Sequence, residues 1–285
     1  MIAINLRGAG EAVKNHRVPK CARLGVRGDS MTFPLWTYPL LFVTGLFAGL
    51  VDTVAGGGGV ISLPILLNLG MPVPLALGTN KFQACFGSVS ATFHFARQGL
   101  IDWRSCRLGV AMTAVGAVSG ALAIHLIDNA LLAQLMPWLL GAIVVYSIVR
   151  PHAGSADHPP RMRPGMFFIL FGLGLGFYDG FFGPGTGSFW TIALIAVQGF
   201  NFVRATATTK LMNATSNVTS LVWFAAAGQV DYTAGAVMGA GQLVGSKLGS
   251  GLVVKKGARF IRPIFLTMVV LTVLRLVYVS LTRPQ

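Results

Sequence analysis

Apolar stretches dominate this chain, and two of them are cut short by glycine. Apolar segments run over about residues 35–55, 60–69, 75–96, 108–127 and 131–149, then 166–182, 187–197, 205–227, 233–254 and 261–281. A helix needs about 20 apolar residues to cross a bilayer core. Most of these segments are long enough, whereas 60–69 and 187–197 predict half-helices. The first short segment follows Gly56, Gly57, Gly58 and Gly59, and the second follows Gly183 and Gly185 and begins at Gly187. Glycine costs a helix about 1 kcal/mol relative to alanine, so each cluster ends the helix before it. Lipid cannot satisfy the backbone groups left bare by such a break, which must face protein, a cavity or a ligand.

The pattern occurs twice. Gly45, Gly49, Asp52, Gly56 and Gly58 recur at one constant offset as Gly172, Gly176, Asp179, Gly183 and Gly185. After a two-residue insertion, Gly70, Thr79, Lys81, Gly99 and Asp102 recur as Gly199, Thr208, Lys210, Gly228 and Asp231. This is an internal duplication. It divides the chain into a basic tail (1–33, expected to be disordered or to lie upstream of a start at Met31), a first transmembrane repeat (34–149), a cytoplasmic linker (150–164) and a second transmembrane repeat (165–285). Broken helices in corresponding positions of two repeats are the sequence pointer to a transporter's binding site.

Composition makes the class explicit. Of 285 residues, 54% are hydrophobic and 11% charged, where a soluble domain carries about 25% charged residues, and the mean hydropathy is +0.69. The formal charge of +14 would suit nucleic acid, but the basic residues sit in tails and loops between apolar spans, as the positive-inside rule describes. Arg97, Arg104, Arg107, Arg150, Arg161, Arg163, Arg204, Lys255, Lys256, Arg259 and Arg262 fall on one side if each half-helix counts as a reversal. The loops near 70–75, 128–130, 183–186 and 228–232 carry no basic residue. Each repeat then has an odd number of reversals, and the repeats are inverted. Cys21, Cys85 and Cys106 lack metal spacing and are read as free thiols.

The acids are few: Glu11, Asp29, Asp52, Asp102, Asp128, Asp157, Asp179 and Asp231. Only Asp52 and Asp179 lie inside apolar spans, where an ionisable group is a functional candidate. They read either as a proton or charge relay or as caps for the half-helices that follow, and the readings are compatible. Asp102 and Asp231 are placed in solvated loops. Lys81 and Lys210, the matched cations, either snorkel to the interface or pair with the aspartates or an anion. Gln83, Ser88, Ser90, Asn213, Thr215, Ser216, Asn217 and Thr219 form a polar stripe that either bonds between helices or lines a path. His94, His125, Lys247 and Arg275 are assigned to packing or interfaces. No catalytic triad, carboxylate pair or His/Cys cluster appears, so an enzyme is not expected.

The motifs GLVDTVAGGGG with LGTNKFQA, and GFYDGFFGPGTGSF with TKLMNATSN and GSKLGSGLVVKKG, resemble the TauE/SafE family of sulfite and organosulfur-anion exporters, and within it the YfcA-like branch. The resemblance covers about residues 34–278 and implies multi-pass inner-membrane transport of a small anion with no cofactor.

The expectation is an all-α polytopic membrane protein of two inverted repeats, with about 8–10 membrane segments. It moves a small anion, with proton coupling through Asp52 and Asp179; the alternative is a passive channel of the same architecture. The substrate site is placed where the breaks meet, at Gly56, Gly57, Gly58, Gly59, Asn80, Lys81, Gln83, Gly183, Gly185, Thr186, Gly187, Lys210, Asn213, Ser216 and Asn217. The partners are the anion and the bilayer, without nucleic acid, and self-association into a homo-oligomer is compatible with the pattern.

Overall fold

The computed structural model describes residues 33–126 and 158–256. The expected tail, the apolar segments 131–149 and 261–281, Cys21, Arg259, Arg262 and Arg275 lie outside the described residues. Those described are all-helical: α1 Thr37–Ala55, α2 Gly58–Asn68, α3 Val73–Arg97, α4 Trp103–Ala123, α5 Pro164–Phe181, α6 Thr186–Ala196, α7 Phe202–Ala226 and α8 Tyr232–Lys256, with a short 3-10 turn at Ile124–Leu126. Three stretches, Thr37–Val54, Trp103–Ala123 and Pro164–Phe181, are long and apolar enough to cross a membrane. Helices α3, α7 and α8 have 25 residues each, long enough for a crossing, but α3 and α7 carry the polar stripe and are correspondingly less apolar.

Local chemistry explains the boundaries. Helix α1 stops because Gly56 turns left-handed (φ 74°) and returns its N–H to Asp52 O, a conformation that costs glycine nothing. The second break turns at Gly185 (φ 82°), immediately before α6. Asp102 caps α4 by accepting from the Ser105 hydroxyl (2.6 Å) and from the amides of Arg104 and Ser105. Those bonds, the Ser105 hydroxyl first, hold its carboxyl below the usual aspartate range. Asn201 caps α7 through the Arg204 amide.

Helix α1 packs along α8, and α4 along α5, so the first helix of each repeat lies against the fourth helix of the other. Both pairs approach closely on glycine. A Cβ on Gly245 would sit 1.9 Å from Leu46 O, and one on Gly120 would sit 2.0 Å from Phe177 O, so small residues are required there. The third helices, α3 and α7, cross in the middle. The start of α3 meets the turn after α7, where the Asp231 amide donates to Thr79 Oγ1 (2.9 Å). At the other end, Arg204 near the start of α7 shares a pocket with Ser105 near the start of α4. Helices α3 and α7 therefore run antiparallel. Exchanging α1–α4 for α5–α8 preserves the main helix pairings.

Two apolar cores result, one at each end. Leu63, Leu66, Leu77, Phe182, Phe224 and Met238 fill one; Phe95, Phe167, Trp190, Leu194, Met212 and Val253 fill the other. Between them lies a polar layer.

Candidate functional site

That layer is built from the two breaks and the middle helices. Helices α2 and α6 have 11 residues each, about 16 Å at 1.5 Å per residue. They run out toward opposite ends, so their N-termini meet between the two apolar cores. The meeting is direct: the Ser188 amide donates to Gly56 O (3.2 Å), and a Cβ on Gly56 would lie 2.2 Å from the Gly187 carbonyl carbon. Tyr178 Oη donates to Pro184 O (3.0 Å) and Thr186 Oγ1 to Gly183 O (2.6 Å), which fixes the second break.

Two ion pairs flank this contact, and each joins one repeat to the other. Lys81 of α3 binds Asp179 Oδ1 of α5 at 2.5 Å, and Lys210 of α7 binds Asp52 Oδ2 of α1 at 2.9 Å. Lys210 also donates to the Asp52 carbonyl, which accepts Gly56 N–H as well. The lysines are 1% and 0% exposed, so they do not snorkel. The pairs are unequal. Asp179 is 5% exposed and its second oxygen takes the Ser216 hydroxyl. Asp52 is 14% exposed, and the position matching Ser216 in the first repeat is Gly87.

Further polar pairs repeat. Ser62 Oγ donates to Asn80 Oδ1 (2.5 Å), and Thr191 bonds Thr209 (3.0 Å) at the corresponding positions of α6 and α7. Gln83 Nε2 reaches both Asn80 and Ser62.

A cavity of about 30 Å³ lies at the junction; one water needs about 10–15 Å³, so this conformation is nearly closed. Asp52, Gly56, Gly59, Asn80, Lys81, Asp179, Gly183, Gly185, Thr186, Gly187, Asn213 and Asn217 line it, with Ala84. Gly57, Gly58, Gln83, Lys210 and Ser216, named from the sequence with these, do not line it. Gly58 abuts Asp52 Cβ and Ala48 O, Lys210 lies under Asp52, and Ser216 under Asp179. Ser62, Ala84 and Thr191 were not singled out in the sequence, although the repeat register aligns Ser62 with Thr191. Asp231, read as a solvated loop residue, is 3% exposed and caps α8 through the Ala234 amide (2.9 Å). The reason is its place under α3, where Thr79 holds its amide, whereas Asp102 starts a helix at the rim.

An all-α bundle with uncapped broken helices meeting in a polar layer is the architecture of a membrane transporter. The chain belongs to the sulfite exporter TauE/SafE family, whose model matches residues 41–276. It is 42% identical to the "Probable membrane transporter protein YfcA" of Escherichia coli (strain K12) over 241 residues, 85% of this chain and 90% of that protein. A "Probable membrane transporter protein" of Haemophilus influenzae is 40% identical over 239 residues, 84% of this chain and 94% of that protein. No solved structure matches it.

Proposed function

We propose that this protein is a multi-pass inner-membrane secondary transporter that exports a small anion such as sulfite or an organosulfur acid. The observation that carries the reading is the meeting of two uncapped half-helix N-termini at a polar cavity in mid-bundle. Such N-termini favour anions through free amides and the helix dipole. The family and its relatives' names support transport.

In this reading α3 and α7, antiparallel and central, relate repeats that are inverted across the membrane. Arg97, Arg104, Arg107, Arg161, Arg163, Arg204 and Lys255 then share the cytoplasmic end. Asp52 and Asp179 carry the coupling proton or charge, and alternate access comes from rocking one repeat against the other. A thermal-shift screen of small oxyanions and sulfonates on the detergent-purified protein tests the site. Accumulation of radiolabelled sulfite against its gradient, driven by a proton gradient in proteoliposomes, tests the carrier. Flux that never exceeds equilibrium makes the protein a passive channel instead.

A further inference from the structure

The charged side chains around the cavity balance. Asp179 holds Lys81 and Asp52 holds Lys210, so neither lysine is free to receive a ligand charge. What remains is the field of the two half-helices. Helices α2 and α6 begin at the cavity with no side-chain cap. The amides of Gly59 and Gly187, both at the cavity, have no acceptor among the described residues. Each N-terminus is equivalent to roughly half an elementary charge, and the two together to about one. A second observation is independent of the helices. Asn213 lines the cavity, is 5% exposed, and its Oδ1 has no hydrogen-bond partner among the described residues. A buried polar group without a partner is disfavoured unless a ligand or water supplies one. Its counterpart in the first repeat is Ala84, which lines the same cavity, so the open amide belongs to one side only.

We propose that this site, taken as the anion site argued above, selects a monovalent oxyanion, a sulfonate or hydrogen sulfite with one negative charge, over a dianion, and that Asn213 contacts it. One negative charge matches the field of two N-termini. The second charge of sulfate would have no counterpart in a layer enclosed by apolar cores, where uncompensated charge is disfavoured. The Asn213 amide serves either form: Oδ1 accepts from the O–H of hydrogen sulfite, and turned over, Nδ2 donates to a sulfonate oxygen.

Isothermal titration calorimetry on the detergent-purified full chain, with methanesulfonate and sulfate at matched ionic strength, tests this. Methanesulfonate binds about tenfold more tightly than sulfate. Asn213→Ala, which installs the residue already present at the matching position, weakens methanesulfonate several-fold and keeps the melting temperature. Asp52→Asn leaves Lys210 unpaired and shifts the preference toward sulfate. Sulfate binding as tightly as methanesulfonate to the unaltered protein overturns the inference and leaves the anion site standing. Unchanged methanesulfonate affinity in Asn213→Ala removes Asn213 from the site. Binding of neither anion removes the anion site and this inference with it.

Discussion

Lys81→Met is the sharpest probe of how the repeats are held together. It removes the cation 2.5 Å from Asp179 Oδ1 and leaves a carboxylate that is 5% exposed with, among the described residues, only the Ser216 hydroxyl as a side-chain partner. Removing one member of a buried pair costs about 3–5 kcal/mol, because the remaining charge is uncompensated. Asp179→Leu should cost as much, since it strands the lysine instead. The double variant removes both charges and replaces them with apolar groups, which is often neutral. The two losses should therefore fail to add by about 3 kcal/mol, at the upper end of measured couplings. Denaturant unfolding of the four proteins in one detergent, followed by tryptophan fluorescence, measures the cycle. Losses that simply add would mean that the lysine and the aspartate do not depend on each other, and the cross-repeat pair would have to be abandoned.

The second pair gives a graded comparison: Lys210→Met strands an aspartate that is 14% exposed, so the same unfolding assay should show a smaller loss than Lys81→Met. Gly56→Ala should leave no folded protein on size-exclusion chromatography, because its Cβ would lie 2.2 Å from the Gly187 carbonyl carbon at a φ of 74°. The Asp102 cap should respond to acid. Its folded pKa is depressed, so its contribution to stability is complete above the ordinary aspartate value of 3.8 and is lost as pH falls below it; Asp102→Asn should flatten that part of a stability–pH curve. Asp52→Asn and Asp179→Asn should cut sulfite flux in proteoliposomes while Asp102→Asn does not. In cells, cysteines at positions 104 and 161 should react from the cytoplasm and those at 72 and 229 from outside; position 104 labelled from outside would reverse the orientation.

The repeat register made much of the site legible. It singled out Asp52, Asp179, Lys81 and Lys210 and the two glycine breaks, because glycine clusters and membrane-depth charges are rare enough to align without ambiguity. It could not say that each lysine crosses to the other repeat's aspartate. A pairing within one repeat has the same sequence pattern, and only the antiparallel crossing of α3 and α7 brings Lys81 to Asp179. The same register misled at Asp231. Asp102 and Asp231 occupy matching positions, yet one is exposed and the other 3% exposed, because burial depends on which helix covers a turn. Among the described segments hydropathy set the boundaries to within about five residues, but it ranks α3 and α7 low, since the polar stripe faces inward rather than toward lipid.

The central claim is that the meeting point of the two breaks is where the anion passes, and Gly59→Ala tests it most directly. Gly59 lines the cavity, and its added Cβ would lie 3.1 Å from Pro184 Cα, close enough to need a shift of a few tenths of an ångström but without the overlap met at Gly56. The methyl group fills a cavity of only about 30 Å³. Sulfite flux in proteoliposomes is predicted to fall to the protein-free background while the purified variant keeps its melting temperature and elution volume. Flux equal to that of the unaltered protein would place the anion path elsewhere in the bundle.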